Sequence, residues 1–171
     1  MIINPYIFGG GGGGGGGGGV TSRYVRLNFP LARSGSDAFM CLQRARFSLS
    51  GVVLPFSTWP TFSAGNSSTL GAPYNVYAAF TDVAPTAGAV TNGWASDGSG
   101  TLPQWLSIDF KTSVNFDEVD IYPDGYAGDI RNPAKVQVQT SPDGTTWTTI
   151  WTKSSLTYPT DTWYPVNATT T

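Results

Sequence analysis

Acidic side chains are the residues of this sequence with the clearest potential for catalysis. Asp117, Asp120, Asp124 and Asp129 are close in sequence, and two acids that converge in a cleft can hydrolyse glycosidic bonds. Asp117 and Asp120, however, lie around a predicted strand, as ordinary surface residues do. The chain has no histidine, which excludes Ser-His-Asp catalysis and removes the commonest general base. Cys41 is the only cysteine and is predicted to be buried. We therefore expect no enzyme activity.

Phosphate and nucleic-acid chemistry are also disfavoured. The glycine run at 9–19 is not followed by the lysine of a phosphate loop and follows no predicted strand. The net charge is −2 and the pI about 4.8, whereas nucleic-acid binding needs a concentrated basic surface. The paired arginines Arg23/Arg26 and Arg44/Arg46 have strand-like spacing, which favours a solvated sheet face over a basic patch.

The elements that must position any functional residue are predicted to be strands. The chain is 40% hydrophobic and 12% charged, which suffices for one domain with a core. Threonine, serine, valine, glycine, proline and aromatic residues dominate it, and they favour strands and turns. Alternating stretches at 105–110, 116–122 and 135–140 are separated by turn residues, most clearly at 141–144. The pattern predicts an all-β sandwich or barrel.

The N-terminal region has a different organisation. We predict an apolar anchor peptide at 1–8, a polyglycine tether at 9–19 and a β-domain at 20–171. The tether has a root-mean-square span of roughly 17–20 Å, unless packing between subunits orders it. The exposed apolar peptide must be covered, either by a larger assembly or by its own domain. The region lacks a signal peptide's basic and long apolar segments, and no apolar run could span a bilayer. Synthesis in the cytoplasm without secretion is expected.

Several motifs give the chain a family resemblance. They are Ala79–Asp82, Asn92–Ser96, Pro103–Phe110, Val119–Pro123, Val136–Gln139 and Ser141–Trp147. The Asp-Gly-x-x-Trp turn that begins at Asp143 is the most specific. Over roughly residues 23–165 the chain resembles the discoidin family, also called coagulation factor C-type domains, of the galactose-binding-like fold. The resemblance implies an all-β sandwich, or jelly roll, that binds ligands and is preceded here by a glycine-rich arm.

Two features depart from the usual pattern of that family, and a third resembles a different class of protein. Arg23–Leu27 and the strand at 41–42 resemble the pair that usually closes the family's sequence, so their early position implies a circular permutation. Thr81-Asp82 stands where many relatives have an Asp-Gly step that often lies in a calcium loop. The departure argues against a calcium site, and Asp82 is only a weak calcium candidate; no other metal or cofactor is implied. The opening Asn4–Phe8, followed by glycines, resembles the start of some tailed-phage structural proteins.

Ligands of such sandwiches meet loops at one end of the fold. The predicted loops are 70–76, 93–96 and 124–132. They combine aromatic platforms for a sugar ring with polar groups for its hydroxyls; the candidate ligand-binding residues are Tyr74, Asn75, Trp94, Asp124, Tyr126 and Arg131. Packing is the alternative role for Trp94, and a salt bridge to Asp124 or Asp129 is the alternative for Arg131.

Three functions remain open from the sequence. The first is a phage virion protein, for the tail or capsid, that binds host-surface carbohydrate through many weakly binding copies. It would form a homo-oligomer, bind other virion proteins through its arm and not bind nucleic acid. The second is an architectural subunit without a glycan ligand. The third is a carbohydrate-binding module of a cellular protein.

Overall fold

The computed structural model describes residues 19–33, 39–87, 93–98, 101–124, 130–158 and 162–166. Most of the regular secondary structure of these residues is β-strand, which confirms the all-β prediction. The strands are β1 (Val20–Ala32), β2 (Cys41–Leu42), β3 (Arg44–Leu49), β4 (Val52–Leu54), β5 (Ser63–Asn66), β6 (Trp94–Ala95), β7 (Gln104–Phe116), β8 (Glu118–Tyr122), β9 (Pro133–Ser141), β10 (Thr148–Ser154) and β11 (Tyr164–Pro165). A short helix α1 (Val76–Ala79) and a 3-10 turn (Phe56–Thr58) lie between strands.

A five-stranded antiparallel sheet has the order β10-β9-β1-β7-β5. Its central strand β1 alternates as a half-buried strand should, with Val25 and Leu27 both 1% exposed and Arg26 between them on the other face. The register between β1 and β7 shifts near Tyr24, where Lys111 of β7 has a φ of 65°. Such a bulge bends the long strand pair.

A four-stranded sheet of order β11-β8-β3-β4 lies opposite, and a two-stranded ladder joins β2 to β6. In β3 the alternation sends Ala45 and Phe47 into the core, where both are fully buried. Phe47 contacts Phe110 and Phe116 of β7 edge to face, with ring centroids 5.2 and 5.4 Å apart. These ring contacts join the two sheets into a sandwich.

The predicted turn at 141–144 is confirmed in atomic detail. The Asp143 carboxylate accepts hydrogen bonds from the backbone N–H groups of Thr145 and Thr146, at 2.8 and 2.7 Å. Gly144 has a φ of 76°, which glycine adopts without strain. These backbone donors lower the pKa of Asp143 below its usual range because they stabilise the charged form.

Other predictions about the chain have different outcomes. Cys41 is buried, as predicted. The anchor peptide and all of the tether except Gly19 lie outside the described residues. In the part of the chain that the structure describes, no helix has the length and apolarity to cross a membrane.

Candidate functional site

The loops predicted to bind ligand do converge at one end of the sandwich. The backbone N–H of Leu70 donates to the carbonyl of Ala95 at 2.9 Å, and the indole Nε1 of Trp94 donates to the carbonyl of Ser68 at 2.9 Å. These bonds join the loop after β5 to β6. A third loop, after β8, is joined to β2 by the N–H of Cys41 and the carbonyl of Arg131 at 2.9 Å.

Three of the predicted site residues line one narrow cleft at this end. Tyr74, Trp94 and Asp124 line a crevice that has no room for a water molecule. Tyr74 is half-buried, whereas Trp94 is 1% and Asp124 4% exposed. The Trp94 ring stacks on Phe29 with centroids 6.0 Å apart, the packing position that the sequence left open as its alternative. Trp94 therefore has no exposed ring face for a ligand.

The remaining predicted site residues have separate surroundings. Asn75 is exposed and caps helix α1, because its side-chain oxygen accepts from the N–H of Ala78 at 2.9 Å. The guanidinium of Arg131 lies 4.9 Å from the ring centroid of Phe39. Tyr126 and Asp129 lie outside the described residues.

Asn132 is a buried residue of this end that the sequence analysis missed. Its side chain accepts from the N–H of Asp124 at 2.9 Å and donates to the carbonyl of Asp124 at 3.0 Å. The two bonds tie the side chain of Asn132 to the backbone of Asp124 and fix the position of Asp124. Asparagine is common in loops, so nothing in its sequence context indicated this role.

The Asp82 carboxylate is occupied by backbone donors. It accepts from the N–H groups of Phe56 and Ser57 at 2.7 and 2.9 Å and so caps the 3-10 turn. Within the described ranges, no three acidic, histidine or cysteine side chains are grouped as metal ligands would be. Asp82 positions the segment after β4 in this arrangement.

The aspartates considered for catalysis lie in different parts of the described structure. Asp117 accepts from the N–H of Ser50 at 2.8 and 3.0 Å, Asp120 binds Arg46, and Asp124 faces the end cleft. Burial and the neighbouring Asp120 raise the pKa of Glu118. Asp117 and Asp124 thus belong to opposite ends of the β8 region.

The structure has a larger cavity on the outer face of the four-stranded sheet, which we call the Arg46 groove. Its volume is about 580 Å³. Residues from β3, β4, the 3-10 turn and two later segments line it: Arg46, Val53, Leu54, Pro55, Phe56, Ser57, Thr81, Asp82, Val83, Ala84, Pro85 and Trp163. The groove combines apolar walls with a few polar groups, as ligand sites commonly do.

The floor of the groove is an arginine held from two sides. The Nε of Arg46 donates to the buried carboxylate of Asp120 at 2.8 Å, and its guanidinium lies 4.2 Å from the ring centroid of Trp163. The Trp163 ring in turn contacts Tyr122 edge to face at 5.5 Å. Charge pairing and ring stacking together fix the guanidinium plane.

The neighbouring arginine holds the rim of the groove in place. The Nε of Arg44 donates to the carbonyl of Val83 at 2.9 Å, and Gln43 exchanges two hydrogen bonds with the backbone of Thr86, at 3.0 and 3.1 Å. The interpretation of Arg44 and Arg46 as a solvated face is wrong for Arg44, which is 2% exposed. The segment 81–87 covers it, and strand-like spacing alone does not reveal such a cover.

Comparisons with known proteins identify the family of the chain. The family model of the F5/8 type C domain matches residues 63–170, which is more than half of the sequence. No curated protein and no solved structure matches the chain significantly. F5/8 type C domains are modules that bind carbohydrate or other ligands and are not enzymes. With its two packed antiparallel sheets and the matched Asp143 turn, the chain belongs to the F5/8 type C, or discoidin, family.

Proposed function

We propose that the chain is a non-catalytic virion protein of a tailed phage that binds host-surface carbohydrate through the loops at one end of its sandwich. The observation that carries this proposal is the convergence of three loops around Tyr74 and Asp124. The half-buried Tyr74 presents part of its ring beside the exposed Asn75. An aromatic surface next to polar groups is what a neutral polyhydroxyl ligand requires.

The site we propose consists of Tyr74, Asn75, Asp124 and Arg131, with Tyr126 from the loop between them. Tyr74 would stack on the apolar face of a sugar ring, and the other side chains would exchange hydrogen bonds with its hydroxyls. Asp82 stays a calcium candidate only if a bound ion displaces the two backbone donors of its carboxylate. Such sites bind single sugars weakly, and many copies on one particle would raise the apparent affinity.

The virion role is supported by the N-terminal sequence and by the position of β1. The opening Asn4–Phe8 with its glycine run resembles the start of tailed-phage structural proteins. β1 precedes the segment matched by the family model, yet it pairs with β7 and β9 on both sides, which are parts of that segment. We propose that the chain is a circular permutant whose early strand fills the place of a strand that ends the family's usual sequence. The anchor peptide at 1–8 would contact other virion proteins.

A glycan array tests the carbohydrate site. The full chain, displayed as a multivalent fusion, is compared with Tyr74→Ala and Arg131→Ala variants. The matched control is Tyr77→Ala, because Tyr77 is an aromatic residue of the same region that is 51% exposed but does not line the end cleft. We expect binding to be lost in the first two variants and retained in the control. Binding that survives both substitutions would refute the end-loop site.

An architectural subunit without a glycan ligand is the second candidate. The observation that favours it is the burial of Trp94 and Asp124 in a cleft too narrow to admit a water molecule. In this case the full chain would bind no glycan on the array even when multivalent, and imaging of virions would locate it in the particle. A glycan-binding chain that is absent from virions would instead favour a module of a cellular protein.

A further inference from the structure

We propose that the Arg46 groove is the docking site for the N-terminal peptide of the same chain, residues 2–8. The peptide would lie along the edge strand β4 and place its apolar side chains between β4 and the segment 81–85. The glycine run would act as the connection between this docked peptide and the start of β1. The inference is independent of carbohydrate binding, because the groove and the end cleft share no lining residue.

The groove has the chemistry that an apolar extended peptide needs. Its walls expose valine side chains on both sides, with Val53 44% and Val83 64% exposed. Among the described strands, β4 is the terminal strand of its sheet, and a terminal strand can pair with an added strand through its outer edge. At the floor, the Nε of Arg46 binds Asp120, and the terminal nitrogens of its guanidinium can donate to peptide carbonyls.

The N-terminal peptide has the matching composition. Residues 2–8 are Ile-Ile-Asn-Pro-Tyr-Ile-Phe, without a charged side chain. Exposure of apolar side chains to water is unfavourable both for this peptide and for the valines of the groove. Docking would remove both surfaces from water at once. The charge of Arg46 in the groove is already paired with Asp120. An uncharged peptide can therefore bind there without leaving an additional charge unpaired.

The exit point of the tether lies close to the groove. Val20 begins β1 and pairs with Phe116, and the N–H of Asp117 donates to the carbonyl of Ser48 at 2.9 Å. Ser48 pairs with Val53, which lines the groove. Three strand neighbours and one peptide step therefore separate Val20 from Val53, a distance of at most about 20 Å.

The length of the tether matches this distance. Eleven consecutive glycines connect residue 8 to residue 20, and their root-mean-square span is roughly 17–20 Å. The effective concentration of a tethered peptide at its site is highest when the span of the tether equals the distance to be bridged. The geometry therefore favours the groove of the same chain over that of a second copy in dilute solution.

Disulfide trapping in the full chain tests the docking. The variant pairs Ile7→Cys with Val83→Cys at the groove. The matched control pairs Ile7→Cys with Thr145→Cys, because Thr145 is also exposed and its turn begins at Ser141, which pairs with Tyr24 of β1. We expect the intramolecular disulfide at residue 83 to form at least about tenfold faster than at residue 145, at a rate independent of protein concentration.

Two further variants examine the apolar contact itself. Ile3→Asp, added to the groove pair, should reduce the trapping rate to that of the control pair, whereas Asn4→Asp should have a much smaller effect. Equal rates for the two cysteine pairs would overturn the proposal. Trapping that yields disulfide-linked dimers and increases with concentration would also overturn it, and would assign the groove to the peptide of a second copy.

Discussion

The guanidinium of Arg46 lies 4.2 Å from the ring centroid of Trp163. Arg46 belongs to β3, and Trp163 immediately precedes the last described strand, β11. The stack therefore joins an early and a late part of the chain across the outer face of the four-stranded sheet. Asp120 of β8 binds the same arginine from below, so the contact depends on three separate segments.

Removal of the Asp120 charge should destabilise the fold. Asp120→Asn leaves Arg46 without its buried anionic partner. The side chain of Arg46 is itself 30% exposed, so water partly compensates for the lost charge. We expect the free energy of unfolding to fall by about 1–2 kcal/mol, less than for a fully buried pair. Urea unfolding followed by tryptophan fluorescence measures it. Asp109→Asn is the control, because its cationic partners Arg23 and Lys111 are more exposed, at 43% and 39%, and its effect should be smaller. Equal effects would contradict the stated role of burial.

The stability of the protein should decrease in acid. Hydrogen bonds from Arg23 and Lys111 lower the pKa of Asp109, and backbone donors lower that of Asp143. A carboxyl whose pKa is lower in the folded state binds fewer protons there than in the unfolded chain. Its contribution is therefore complete above the unfolded pKa of about 3.9 and is lost as the pH falls below that value. Urea unfolding at a series of pH values should show this decline. In the Asp143→Asn variant, the free energy of unfolding should depend less steeply on pH. If its pH dependence equals that of the original protein, Asp143 does not contribute to the decline.

Substitution of Trp94 should lower the free energy of unfolding, because its side chain belongs to the core. Trp94→Ala removes a ring that is 1% exposed and stacked on Phe29, and we expect a loss of about 3–5 kcal/mol. Trp94→Phe keeps an aromatic ring but loses the hydrogen bond to the Ser68 carbonyl, so its loss should be smaller. Thermal unfolding of both variants provides the measurement. A fully stable Trp94→Ala protein would contradict the core position.

Close packing of β2 against β6 should make Gly93 sensitive to the smallest substitution. A Cβ at Gly93 would lie within 2.7 Å of Gln43 Cα and even closer to the carbonyl oxygen of Leu42. Gly93→Ala should therefore cost about 1–3 kcal/mol, through overpacking. Gly51→Ala is the comparison, because no atom lies within 4 Å of its Cβ position and only its φ of 77° opposes the change. Thermal melting of both variants measures the costs, and a Gly93→Ala loss no larger than that of Gly51→Ala would exclude overpacking.

Local patterns were sufficient to predict much of the fold. Alternation identified strands such as β7, and the residue types at 141–144 identified the turn, because both depend on neighbours in sequence. The motifs around Asp143 and Trp147 also pointed to the family that the family model matches.

The arrangement of the candidate sites depended on contacts that the sequence does not display. Asn75 was interpreted as a ligand residue, and in the structure its side chain also caps α1. Arg44 had the spacing of an exposed residue, but the segment 81–87, distant in sequence, covers it. The Arg46 groove was missed because its walls come from four separate parts of the chain, which only tertiary pairing brings together.

The central position of β1 has a consequence for synthesis on the ribosome. Among the described strands β1 is translated first, yet its partners β7 and β9 begin at Gln104 and Pro133. Until most of the chain has emerged, β1 is an unpaired strand with one apolar face and both edges open, a state prone to association with other chains. Contacts between such distant residues also slow folding, because long loops must close before the pairing is gained. The first of the described strands to be made thus waits for β9 before both of its edges are paired.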